Sequence, residues 1–108
     1  MSKYLLLGSR DPFSSRDADF VFDLAVQLKS AGNEVTLYLL ENGVLAARSG
    51  ASVPGLEAVL SAGVSVKADD FALRERGITD DRVKDGVEKT SLEFVVDHLA
   101  AGSKTIWN

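Results

Sequence analysis

The chain has 108 residues, with sixteen acidic and twelve basic side chains, a formal net charge of −4 and no cysteine. This length predicts one domain, and 45% hydrophobic residues without a long apolar run predict a soluble globular protein with no membrane span. The missing cysteines exclude disulfides and a cysteine nucleophile, and the dispersed basic residues argue against nucleic acid as a partner. With a single His, the chain is expected to hold no metal and no cofactor. The short apolar start predicts a cytoplasmic protein.

The first forty residues predict two strands joined by a helix. An apolar run at 3–7 is typical of a buried strand, and the turn-forming residues 8–15 predict the loop that follows it. A capping box at Ser14 predicts the start of an amphipathic helix that ends before Gly32. The β-branched segment 34–40 predicts the second strand. These elements predict a right-handed βαβ unit.

The rest of the chain continues the alternation. Its predicted elements are a helical segment at 44–48, a helix from Pro54, a strand at 64–68, a helix capped by Asp69 and Asp70 that ends at Arg76, a polar loop with one helical turn at 78–89, a helix capped at Thr90, and a terminal strand within 103–108. The sequence therefore predicts an α/β fold, a single-domain three-layer sandwich with a mostly parallel sheet of about four or five strands.

Three loops are candidates for a binding site, because ligands of open α/β sheets bind outside the carboxyl ends of the strands. The loops are residues 8–15, 41–52 and 67–72. The candidate binding residues are Gly8, Ser9, Arg10, Ser14, Asn42, Gly43, Asp69 and Asp70. The first four precede a helix N-terminus, where backbone N–H groups could hold a small anion. An ordinary capped loop explains the same residues, because neither the Walker A nor the dinucleotide spacing is present.

Asp69 and Asp70 have two interpretations. Adjacent carboxylates could bind a divalent cation or supply a general base. Adjacent side chains at a helix start diverge by about 100°, however, and Asp is strongly preferred as a helix cap. Capping is therefore the favoured interpretation.

Several apolar side chains exceed what one small core can absorb, which predicts an oligomer. The interface candidates are Phe13, Phe20, Phe22, Val44 and Trp107. We expect Trp107 to be a buried packing anchor at a sheet edge or an interface. His98 lies between Asp97 and Leu99, away from the three loops, and is predicted at a surface or boundary position.

Three segments carry a resemblance to a known family. They are 41–44 (Glu-Asn-Gly-Val), 73–78 (Leu-Arg-Glu-Arg-Gly-Ile) and 104–108 (Lys-Thr-Ile-Trp-Asn). They resemble, in this order, the strand-end Gly-Val segment, the Leu-Arg-x-Arg-Gly-hydrophobic signature and the short final strand of the DsrE/DsrF-like family, which includes the TusBCD sulfur-relay subunits. The likeness runs over nearly the whole chain. It implies a small α/β domain that assembles as a dimer, trimer or hexamer.

The resemblance also exposes a difference. In sulfur-carrying members of that family, a Cys just after the third strand holds sulfur as a persulfide, and counting back from Arg76 places Asp69 at this position. A carboxylate cannot carry sulfane sulfur. The resemblance therefore implies a non-catalytic DsrE-like subunit or accessory that oligomerises and docks Cys-bearing sulfur-carrier proteins. The alternatives are a small-anion or nucleotide-type binding protein that uses the strand-top loops, and an enzyme that uses Asp69 or Asp70.

Overall fold

Five parallel strands form one sheet in the computed structural model, which describes residues 1–108. The strands are β1 (Lys3–Gly8), β2 (Glu34–Leu39), β3 (Ser65–Asp69), β4 (Val87–Thr90) and β5 (Lys104–Trp107), and their order across the sheet is β4-β3-β2-β1-β5. The helices are α1 (Asp17–Ser30), α2 (Pro54–Ser61), α3 (Asp70–Glu75) and α4 (Glu93–Ala100), with 3₁₀ segments at Glu41–Ala47 and Asp80–Arg82. This architecture confirms the predicted fold class.

The two faces of the sheet are covered unequally. On one face, α1, α2 and the 41–47 segment pack against Leu6, Leu37 and Val66 in the larger apolar cluster. On the other face, the smaller cluster joins strand residues such as Leu5 and Tyr38 to helix α4. None of the helices has the length and apolar character needed to cross a membrane.

Two features of the chain differ from the sequence prediction. The predicted capping boxes are wrong: α1 has Arg16 at its N-cap and α4 has Leu92, and neither residue makes a side-chain cap hydrogen bond. Thr90 instead ends β4, which lies partly in the stretch predicted as a loop. Strand β4 contains Glu88 and Lys89, both exposed, and its backbone pairing with β3 holds it in the sheet. Such an edge strand carries no apolar run for a sequence pattern to detect.

Two of the predicted interface residues lie in the core instead. Phe22 is 2% exposed and packs against Gly55, where a Cβ would lie 2.7 Å from its ring. Val44 is completely buried in the larger cluster. Their predicted interface role is therefore wrong, because the apolar stripe of α1 is wider than its periodicity indicates and the 41–47 segment packs inward. Phe13 and Phe20 are more than half exposed.

Trp107 lies on the outer strand β5 and is 64% exposed. The prediction that it is buried at the sheet edge is therefore wrong within one chain. Beyond its pairing with β1, strand β5 has a free edge. An interface role for Trp107 stays a prediction.

Candidate functional site

The carboxyl ends of β1 and β2 bring two of the predicted loops into direct contact. The Leu40 N–H donates to the Gly8 carbonyl oxygen over 3.1 Å, and the Gly43 N–H donates to the Leu40 carbonyl oxygen over 2.9 Å. A Cβ on Gly43 would overlap the Gly8 carbonyl. Gly43 therefore permits the close approach of the two loops, and Gly8 takes part in it through its carbonyl oxygen.

The first loop does not gather its predicted anion-binding groups. The Ser9 N–H and hydroxyl both donate to the Asn108 carbonyl oxygen at 2.9 Å, so they fasten the end of β5. Arg10 and Ser14 are exposed, and neither side chain makes a hydrogen bond or an ion pair within the chain. The structure therefore leaves these residues apart, and anion binding by this loop stays a prediction.

Asp69 is buried at the end of β3 and uses both carboxylate oxygens. Oδ1 accepts a hydrogen bond from the Tyr38 hydroxyl at 2.6 Å, and Oδ2 accepts one from the Ala72 N–H at 2.9 Å. The second bond makes Asp69 the N-cap of α3, as the sequence indicates. Asp70 instead lies 3.9 Å from the Arg74 guanidinium. The two carboxylates therefore have different partners.

Burial and the neighbouring carboxylates perturb Tyr38. Its ring stacks on Phe94 with 6.1 Å between centroids, and the side chain is inaccessible to solvent. Desolvation, the hydrogen bond to Asp69 and the negative charges of Asp69 and Asp70 all raise the pKa of the Tyr38 hydroxyl well above its ordinary value. Tyr38 therefore stays a neutral hydrogen-bond donor to Asp69 throughout the neutral range.

A pocket of about 280 Å³ opens above Asp69. Leu40, Phe71 and Leu92 give it apolar walls, and its other lining residues include Glu41, Asp70, Glu75 and Arg76. Phe71 and Leu92 are more than half exposed. The position that the resemblance assigns to a sulfur-bearing Cys is thus a buried carboxylate beneath an open, largely apolar pocket.

Asn42 holds the side chain of Arg76. The Arg76 Nε and Nη2 groups donate to Asn42 Oδ1 at 3.2 and 3.0 Å, and Nη1 donates to the Ala72 carbonyl oxygen at 3.1 Å. The sequence indicates Asn42 as a binding residue but gives no sign of this contact, because the partners are 34 positions apart. Asn42 is therefore a positioning residue for Arg76.

His98 lies away from the three loops, on helix α4. Its Nδ1 lies 2.9 Å from the Ser103 hydroxyl, and its ring is 4.6 Å from that of Phe94. The side chain is half-buried. This matches the predicted boundary position.

Solved structures share this architecture. The ychN protein from E. coli superposes with a TM-score of 0.90 and 22% identity over all of both chains. The protein of unknown function MTH1491 from Methanobacterium thermoautotrophicum superposes with a TM-score of 0.86 and 17% identity over all of both chains. The protein of unknown function BT1422 from Bacteroides thetaiotaomicron superposes with a TM-score of 0.79 and 16% identity, over 99% of this chain and 95% of that one. The chain has a DsrE-like fold.

The DsrE-like fold is what these similarities establish, because all three identities are below 25%. No family model matches the sequence, and no curated protein matches it significantly. A role for this DsrE-like domain must therefore be argued from its own residues.

The raised pKa of Tyr38 predicts a loss of stability in alkali. Above about pH 10, the ordinary pKa of tyrosine, the unfolded chain releases the Tyr38 proton while the folded chain keeps it. The contribution of Tyr38 to the free energy of unfolding is therefore complete below that pH. Above it, this contribution falls by up to about 1.4 kcal/mol per pH unit. Urea denaturation at a series of alkaline pH values measures the slope.

In the Tyr38→Phe chain, the free energy of unfolding should fall less steeply with alkaline pH than in the unchanged chain, although the variant loses a hydrogen bond at neutral pH. Tyr4→Phe is the matched control, because the Tyr4 hydroxyl makes no hydrogen bond within the chain and Tyr4 is only half-buried. Equal slopes for the Tyr38→Phe and Tyr4→Phe chains would contradict the assignment.

Proposed function

We propose that the chain is a non-catalytic DsrE-like subunit that oligomerises and docks Cys-bearing proteins of an intracellular sulfur relay. The observation that carries the proposal is the state of Asp69. It occupies the position that the resemblance gives to the sulfur-bearing Cys, and both of its oxygens accept hydrogen bonds within the domain. A carboxylate held in this way caps a helix and fixes a neighbouring strand, and it offers no sulfur atom on which a persulfide could form.

Helix α4 supports the assembly part of this proposal. Its inner side packs Val95 into the smaller apolar cluster. Three further apolar side chains at or next to this helix are more than half exposed, namely Leu92, Val96 and Leu99. An eight-residue helix that is apolar on its outer side as well as its inner side is typical of a helix buried between two surfaces. We therefore assign the outer side of α4 to contact with a second copy of the chain.

The pocket above Asp69 supports the docking part. Phe71 forms an exposed apolar wall beside it and Leu40 a buried one, at the loop where the sulfur-carrying relatives in the resemblance present their Cys. An open apolar pocket of this kind fits an apolar side chain of a partner. The acidic lining residues Glu41, Asp70 and Glu75 outnumber the one basic lining residue, Arg76, and favour a partner segment with positive charge.

The predicted anion site at residues 8–15 and catalysis by the two aspartates are both less well supported than docking. The Ser9 donors are engaged with Asn108, which weakens anion binding by the first loop. Asp69 and Asp70 engage separate partners, and both oxygens of Asp69 already accept hydrogen bonds, which weakens a catalytic role for this pair. The docking role is therefore preferred.

The assembly step predicts a solution mass above the 11.6 kDa of one chain. A negative charge placed on the outer side of α4, as in Val96→Glu or Leu99→Glu, should be buried without a partner and should shift the population to monomers. Analytical ultracentrifugation at micromolar concentration measures the change. Ala58→Glu is the matched control, because Ala58 is exposed on α2 at the other face of the sheet. An unchanged chain that sediments as a monomer would contradict the assembly.

A further inference from the structure

Three arginines surround one cavity in the loops beyond β2 and β3. Arg48, Arg76 and Arg82 line a cavity of about 350 Å³, together with Ser49, Gly50, Ala51, Gly77 and Ile78. No acidic residue lines it. We infer that this cavity binds a small oxyanion with more than one negative charge, such as inorganic phosphate or the phosphate group of a small metabolite.

The charges in this cavity are not balanced by the protein itself. Five of the twelve basic side chains pair with carboxylates, namely Lys3, Lys67, Arg74, Lys84 and Lys89. Arg48, Arg76 and Arg82 have no carboxylate within 4.0 Å, although the chain carries a net charge of −4. Like charges gathered in one concave site repel one another, and a bound anion removes that repulsion.

Two of the arginines are held in place before any ligand binds. Arg76 is fixed by Asn42 and by the Ala72 carbonyl oxygen. Arg48 donates through Nε to the Leu45 carbonyl oxygen at 3.1 Å, and its guanidinium lies 5.5 Å from the centre of the Phe13 ring. Because these long side chains are already ordered, less conformational entropy is lost when a ligand binds.

The backbone ties the two walls of the cavity together. The Ser49 N–H donates to the Arg82 carbonyl oxygen at 2.7 Å, and the Lys84 N–H donates to the Ala47 carbonyl oxygen at 2.7 Å. The Gly50 N–H and the Ser49 hydroxyl have no acceptor within the protein, which leaves two neutral donors at the wall. Guanidinium forks with backbone and hydroxyl donors match the oxygens of a phosphate group.

The lining also limits the kind of ligand. Only Ala51 and Ile78 are apolar, and no aromatic side chain is present on which a base could stack. The cavity therefore suits a compact polar anion rather than a nucleotide. None of its lining residues belongs to the loop at 8–15, which contacts the cavity only through Phe13 and Arg48. Occupation of the cavity does not depend on the proposed docking role.

Isothermal titration of the full chain with inorganic phosphate at low ionic strength tests this assignment. We expect saturable binding of one phosphate per chain, which higher salt weakens. Arg82→Gln should weaken the affinity about tenfold, the loss expected for one charge-assisted contact. The Arg82 side chain makes no hydrogen bond within the domain, so the melting temperature without phosphate should not change.

Control variants and a second ligand complete the test. Arg16→Gln should bind phosphate as the unchanged chain does, because Arg16 is exposed, has no carboxylate partner and lies outside the cavity. Glycerol phosphate binding more tightly than inorganic phosphate would indicate a metabolite, and the reverse a free ion; either result supports the site. No saturable binding, an equal loss in Arg16→Gln, or a loss confined to Arg10→Gln would overturn it.

Discussion

Gly43→Ala is expected to destabilise the domain by about 4 kcal/mol or more, in the range reserved for severe steric conflicts. The added Cβ would overlap the carbonyl oxygen of Gly8 and lie 2.9 Å from its carbonyl carbon. That oxygen also accepts the Leu40 N–H, so neither strand end can move away without losing a backbone hydrogen bond. Urea denaturation followed by circular dichroism measures the loss.

Gly50→Ala is the matched control for this substitution. No atom lies within 4 Å of a Cβ at position 50, and the backbone there does not have a positive φ. The same added methyl group should change the free energy of unfolding by about 0.5 kcal/mol at most. Equal unfolding midpoints for the two variants would show that the ends of β1 and β2 do not approach as described.

Asp69→Ala is expected to lower the free energy of unfolding by about 3 kcal/mol. The substitution removes the N-cap of α3 and leaves the buried Tyr38 hydroxyl without an acceptor, and these losses add. Asp70→Ala should lower it by about 0.5 kcal/mol or less, because its pair with the exposed Arg74 is long and open to solvent. Denaturation of both variants at neutral pH measures the difference.

A double-mutant cycle separates the two parts of the Asp69 effect. Tyr38→Phe removes the hydroxyl that Asp69→Ala would leave unpaired, so the double variant should be more stable than the sum of the single effects by about 1 kcal/mol. Strictly additive free energies would mean that the Tyr38 hydroxyl and the Asp69 carboxylate are not coupled.

Strands buried in the middle of the sheet are those that the sequence predicts well. Residues 3–7 are a nearly continuous apolar run and residues 34–40 are mostly β-branched and apolar, and the structure places β1 and β2 within one residue of them. Strand β4 is paired on one side only and has Glu88 on its surface, where Lys67 forms an ion pair with it at 2.8 Å. Its stability comes from backbone pairing with β3, which side-chain patterns do not report.

Helix caps and burial were less accessible to sequence reasoning. The sequence predicts Asp69 as a cap because the residue type and the strand-to-helix junction coincide, and the hydrogen bond from the Ala72 N–H confirms it. Ser14 and Thr90 fit the same pattern, yet Ser14 lies in a turn closed by the Asp11 carbonyl oxygen and Thr90 pairs in β4, and their helices start later. The burial of Phe22 depends on the missing side chain of Gly55, which is 33 positions away and invisible to helical periodicity.

The site was predicted in outline because parallel strands bring their carboxyl ends to one edge. Its decisive contacts are between side chains far apart in the sequence. Tyr38 reaches Asp69 across 31 positions and Arg76 reaches Asn42 across 34. In the register of the sheet, Tyr38 lies opposite Lys67, and Asp69 lies on the same side of β3 as Lys67. The contact between Tyr38 and Asp69 can be inferred only once this pairing of β2 with β3 is known.

The central claim is that this DsrE-like domain docks a sulfur carrier and carries no sulfur itself. The most direct measurement mixes the chain with a Cys-bearing DsrE-like protein of the same genome that has been loaded with labelled persulfide sulfur, followed by size-exclusion chromatography and then separation of the chains. The account predicts that the two proteins co-elute and that all of the label stays on the Cys-bearing chain. Label recovered on the present chain, or separate elution of the two proteins, would contradict it.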